Sequence, residues 1–185
     1  MKKYLIIISI GMLLLFMIPA NAYEIFPYTW EQDRVSVKCT ALNNSTWQSA
    51  AKNAMSNWST TGADFSYYST TNTGHVTILP GITDDPYNLA QDLASNTYYR
   101  NGKYYRGAST IIINTDCYSW SASSSCPSNR YDVENVLAHE LGHSLGLNHS
   151  NVSGATMVQG SSMGMTSKRS LETDDKDGAK AIYGV

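Results

Sequence analysis

The 185-residue sequence has no surplus of basic side chains, few cysteines and, past its first eighteen residues, no long apolar run. Each shortage excludes something. If the first 22 residues are removed, Lys2 and Lys3 go with them. Eleven basic side chains then face fifteen acidic ones, a formal charge of −4, which gives no electrostatic basis for binding nucleic acid. Past the leader, no segment is long and apolar enough to cross a bilayer as a helix. Three cysteines cannot build a disulfide framework; in an exported chain they amount to one pair and one left over. No internal repeat and no Pro- or Gly-rich linker divides the sequence, so 163 residues after the leader suit one domain with a core of its own.

The leader itself is explicit. Met1-Lys2-Lys3 is a short basic start, Tyr4 to Ile18 is almost wholly apolar, and Ala20-Asn21-Ala22 fits a small-x-small cleavage site. Residues 1–22 therefore read as a secretory signal peptide, with the mature chain, 23–185, beginning at Tyr23. The alternative is an uncleaved anchor, but about fifteen apolar residues fall short of a full span. The expected location is outside the cell, with no stable membrane association once the leader is removed.

Cys117 and Cys126 flank the Ser-rich stretch YSWSASSS and are the candidate disulfide pair. Closing a loop of that size stabilises a fold by about 2–3 kcal/mol. Cys39 is then the odd one, either a buried thiol or a partner for one of the others.

Val35 to Val37 alternates as a short strand. Asn44-Ser45 caps a helix whose Trp47, Ala50, Ala51, Ala54 and Trp58 recur at helical spacing. Phe65–Tyr68 and His75–Leu79 are further strands. Leu93–Tyr99 and Tyr104–Asn114 flank Asn101-Gly102, a hairpin signal, and Ile111-Ile112-Ile113 suits a buried central strand. Asp132 caps a second helix bearing Val133, Val136, Leu137, Leu141 and Leu145. Residues 148–170 read as irregular loop. A last helix spans about Thr173 to Tyr183, with aspartates in its first turn where the helix dipole favours them.

Only four histidines occur in the chain, and three of them fall within HELGHSLGLNH, residues 139–149. On a helix, His139 and His143 lie one turn apart on the same face and can aim both imidazoles at one ion. Glu140 stands about 100° round from His139, near such an ion yet poorly placed as an equal ligand, which suits a base taking a proton from a metal-bound water. Gly146 can end the helix with positive φ and turn His149 back as a third ligand. Three nitrogen ligands leave one position open, the mark of a catalytic zinc site.

HExxHxxGxxH resembles the zinc signature of the metzincin metallopeptidases. Ser150 after the third histidine is similar to the matrixins (matrix metalloproteinases and their microbial relatives), and Gly154-Ala155-Thr156-Met157 resembles their methionine turn. Leu171–Gly184, LETDDKDGAKAIYG, resembles the matrixin C-terminal helix, and YEIFPYTW the start of the mature domain. The resemblance implies an α+β metzincin (zincin-like) fold: a twisted, mostly parallel sheet with one antiparallel edge strand, an active-site helix and a C-terminal helix. It also implies a monomeric, secreted zinc endopeptidase that takes an extended polypeptide along an edge strand near Leu93–Tyr99. Zn2+ would be held by His139, His143 and His149, with Glu140 as general base and Met157 supporting the ligands from below; Met163 and Met165 fit that role less well. Tyr23's ammonium would pair with Asp174 or Asp175, unless these are plain helix-start carboxylates.

Some family features are missing. The leader runs almost directly into the mature start, leaving no cysteine-bearing pro-segment, and Cys39 lacks the context of a zinc cap. With only His75 outside the motif, a second, structural zinc is not expected. Ca2+ remains open, since Asp84, Asp85, Asp92 and Asp116 lie in or near loops, although a solvated acidic loop explains each. Val158-Gln159-Gly160 replaces the Pro-x-Tyr that shapes the family's specificity pocket, so the preferred substrate residue is unread.

Overall fold

The computed structural model describes residues 23–185, so the leader lies outside the described residues. The main sheet has five strands: β2 (Arg34–Lys38), β3 (Ser66–Thr70), β4 (Val76–Gly81), β5 (Ala90–Ser95) and β8 (Ala108–Asn114), in the order β3-β2-β4-β8-β5. The first four run parallel, with Val35 beside Tyr67 and Ile78 beside Ile111. β5 closes one edge antiparallel to β8, with Leu93 opposite Thr110. This is the expected mostly parallel sheet with one antiparallel edge strand.

The two expected hairpin arms are each split in two. At Asn96 the backbone turns to a φ of 52° and β5 ends. β6 (Tyr98–Arg100) and β7 (Lys103–Tyr105) then form a small hairpin that pairs with β1 (Tyr28–Thr29) in a separate sheet, ordered β1-β7-β6. The edge strand is therefore Ala90–Ser95 instead of the expected Leu93–Tyr99. Arg106 explains the break on the other arm. Its N–H bonds Thr29 O at 2.8 Å, tying the end of β7 to β1, while its side chain turns inward to Asp92. β9 (Trp120–Ser121) and β10 (Tyr131–Asp132) add a short parallel pair ahead of the second helix.

α1 (Ser45–Ser59) starts at Asn44, whose side-chain oxygen accepts from the N–H groups of Thr46 and Trp47, a cap worth about 1 kcal/mol. Its inward face carries Ala50, Ala51, Ala54, Met55 and Trp58, all buried. The small residues let it lie close against α2 (Val133–Leu145), and Trp58 Nε1 donates to Ala138 O of α2 at 2.8 Å. From the sheet, Tyr67 OH donates to Leu141 O at 2.9 Å. α2 is thus pinned from two sides, and it is the element that carries the histidines. α3 (Thr173–Tyr183) closes the domain.

The cysteines correct one expectation. All three are free thiols, so the Cys117–Cys126 pair is not formed. Cys126 Sγ is turned to Arg130 O at 3.2 Å, while Cys117 is exposed. Cys39 is a buried core thiol.

Candidate metal centre and its cleft

Asp132 caps α2 by accepting the Asn135 N–H at 2.8 Å, and Arg169 Nε holds the same carboxylate at 2.9 Å. The helix then presents His139 and His143 one turn apart. At its end Gly146 adopts a φ of 125°, and its N–H bonds back to Gly142 O and His143 O. The chain folds back, and His149 joins the other two. One ligating atom from each histidine lies within 4.8 Å of the others, making these three residues the one such cluster among the described residues.

The ring hydrogens can be assigned from their partners. His139 Nδ1 faces Thr156 O at 2.7 Å and His143 Nδ1 faces Leu147 O at 2.8 Å. A carbonyl only accepts, so each Nδ1 carries the proton and each Nε2 keeps its lone pair. Burial holds His139 well below the usual histidine range and brings His143 down to about 4; it lowers His149 as well. The imidazoles are therefore neutral near pH 7, as metal ligands must be. Three neutral nitrogen donors converging with an open side suit zinc.

Glu140 is buried on the cleft side of the cluster. Burial and the Asp92 carboxylate push its carboxyl up to about 8, while the Asp92 backbone N–H and the Lys168 ammonium pull the other way. Met157 is also buried, beneath α2. A Cβ built on Gly142 would lie 2.2 Å from Met157 Sδ and 2.7 Å from the Trp58 ring. Met163 is half exposed, and Met165 Sδ lies 3.7 Å from Ser161 Oγ.

The histidine cluster opens onto a cleft of about 490 Å³. It is lined by Leu89 and by Ala90, Gln91 and Asp92 of β5, and by Gln159, Ser161 and Lys168 from the segment beyond Met157.

Of the acidic residues weighed for Ca2+, Asp84, Asp85 and Asp116 stand exposed in loops. Asp92 does not. It lies in β5, its side chain 3% exposed, ion-paired with Arg106 and bonded to Ser109 Oγ. Arg106 in turn donates to His143 O at 3.1 Å and stacks near the Tyr28 and Trp30 rings. Desolvation of the pair is offset by these extra bonds. The aspartates of α3 are engaged with the loop after α2. Asp174 accepts from Ser150 Oγ at 2.7 Å, and Asp175 accepts the N–H groups of Thr156, Met157 and Glu172. Tyr23 lies against Gly178 in the same helix. His75 serves the sheet, its Nδ1 accepting from the Ser36 N–H.

The sequence pattern of the matrixin family matches residues 28–184, most of the described chain. The chain belongs to the matrixin family. Its mixed sheet and three-histidine cluster accord with a matrixin-type metallopeptidase domain. Neutrophil collagenase of Homo sapiens is 51% identical over 55 residues, 30% of this chain and 12% of that protein. Interstitial collagenase of Sus scrofa is 50% identical over 54 residues, 29% of this chain and 11% of that protein. Metalloendoproteinase 1 of Glycine max is 44% identical over 55 residues, 30% of this chain and 18% of that protein. The chain thus matches less than a fifth of the length of these relatives.

Proposed function

We propose that this matrixin is a secreted zinc endopeptidase that hydrolyses peptide bonds in extended polypeptides. The observation that carries the reading is the convergence of three neutral imidazoles beside a buried carboxyl group, in a cleft whose wall is a free sheet edge. His139, His143 and His149 would hold the metal; bound there, zinc would supply Lewis acidity to the scissile carbonyl and the attacking water. The charge of a bound metal would draw Glu140 back toward its ionised form, in which it would take the proton from the attacking water and return it to the departing amine.

Among the described residues β5 pairs with β8 alone, so its outer edge offers unpaired backbone groups to a substrate strand. Such recognition uses main-chain atoms and therefore favours a polypeptide of many sequences. Met157, buried against Gly142 next to His143, supports the ligands through packing. Export follows from the leader, and the N-terminal residue of the secreted protein, read by mass spectrometry, is expected to be Tyr23.

Glu140→Ala is the direct test. The variant is expected to retain one zinc per chain and to lose at least about a hundredfold in kcat on a denatured protein substrate. Turnover at the parent rate would remove Glu140 from the chemistry and with it this mechanism.

A further inference from the structure

One cation in the cleft has no use in the steps above. Lys168 is buried, 2% exposed, and yet it lines the cleft. A buried ammonium is costly unless its three donors and its charge are met. The Lys168 backbone N–H is fixed to Asn135 Oδ1 at 2.8 Å, which places the side chain beside the metal ligands. Its Nζ donates to Val158 O. The other nearby ring atom, His139 Nδ1 at 3.4 Å, already donates to Thr156 O and cannot accept. Among the described residues, Lys168 takes part in no salt bridge.

Glu140 and Asp175 favour its charge from a distance, but neither forms an ion pair with it, and Asp175 spends both oxygens on three backbone N–H groups. The other buried cation of the cleft, Arg106, is matched by Asp92. The recess around Lys168 is polar as well: Asn135 Nδ2 donates to Ser161 Oγ at 3.0 Å, and Gln159 stands at the rim.

We propose that Lys168 selects substrates carrying an acidic side chain, Asp or Glu, at one position beside the scissile bond. The assignment rests on the peptidase reading and gives that same site its substrate class. A carboxylate entering the recess meets the unused donors and an ammonium that has no direct ion-pair partner. A leucine entering it strips water from an ammonium and gives no acceptor back.

Scissile bonds are first located by mass spectrometry in a digest of a denatured protein with the zinc-loaded enzyme. Peptide pairs are then compared that differ only in Glu or Leu at each flanking position. The parent protein is expected to prefer Glu at one position by roughly ten- to a hundredfold in kcat/KM. Lys168→Gln, which keeps a donor for Val158 O but no charge, and Lys168→Met should each erase that preference while zinc content and Tm report on folding. Leucine preferred at both positions, or an unchanged Glu-to-Leu ratio in Lys168→Gln, overturns the proposal. Binding of the same pairs to zinc-loaded Glu140→Gln protein separates this failure from that of the peptidase reading. If the digest yields no cleavage, Glu-selective binding of an arbitrary peptide pair with Glu or Leu at one position keeps Lys168 and discards the peptidase. Turnover without Glu selectivity does the reverse.

Discussion

Between Gly142 and an alanine lies one methyl group, and the interior has no place for it. The added carbon would meet Met157 Sδ on one side and the Trp58 ring on the other. Trp58 cannot retreat, because its Nε1 is bonded to Ala138 O. The methionine must move, and it lies directly under the ligand helix. Gly142→Ala is expected to cost about 1–3 kcal/mol, an overpacking penalty. For a domain of this size that lowers Tm by roughly 3–10 °C. Calorimetry decides the matter; an unchanged Tm would show that the contact is not tight. The three histidines were legible in the sequence because metal chemistry restricts both residue type and spacing. Gly142 was not, because its reason for being glycine lies across the core in Met157 and Trp58. Lys168 was hidden for a similar reason: a lysine in a Ser- and Thr-rich stretch reads as solvated until the fold closes over it.

α3 carries a chain of contacts that ends at His139 of the histidine cluster. Asp175 and Glu172 form a reciprocal cap at its start, and Asp175 also receives the N–H groups of Thr156 and Met157. Thr156 O then holds His139 Nδ1. Asp175→Asn keeps the size of the side chain but replaces one accepting oxygen with an amino group that faces backbone donors. One or two buried N–H groups lose their partner, at about 1–3 kcal/mol each. Urea unfolding should record that loss, and competition with a chelator should show zinc held about 10–100-fold more weakly, the usual effect of disturbing a ligand's own hydrogen bond. A loss of stability with unaltered zinc affinity would reduce Asp175 to a helix cap. The first-turn aspartates were visible in the sequence, but what they hold was not, since their partners sit 18 to 24 residues earlier in an aperiodic loop. The split of the hairpin arms is not legible for a similar reason: alternation signals a strand but does not say which sheet it joins, and the break falls where Asn96 takes a positive φ and Arg106 turns inward to Asp92.

At the scale of the molecule, the metal site rests on a core that does not need it. Trp58, Ile78, Ile111, Leu137, Leu141 and Leu145 are fully buried between the helices and the sheet, and none of the three histidines belongs to that cluster. Removing zinc should therefore leave a folded protein, unlike small domains in which metal is the core. Binding to the native state alone still stabilises it, by about 2.7 kcal/mol at a free metal concentration a hundredfold above Kd. In a domain of this size, that corresponds to roughly 5–11 °C in Tm. Chelation should thus lower Tm by that order and leave the far-UV circular dichroism at room temperature unchanged. The two predictions separate two architectures. Loss of the helical signal on chelation would mean that His139, His143 and His149 hold α2 and the loop behind it in place. An unshifted Tm would mean that no metal stands there at all. His149→Ala sharpens the comparison, because it removes the one ligand outside α2 while leaving the helix and its caps intact. In that variant the gap between metal-loaded and chelated Tm should shrink toward zero, with the chelated value close to that of the parent chain. A gap as wide as the parent's would place the third ligand elsewhere.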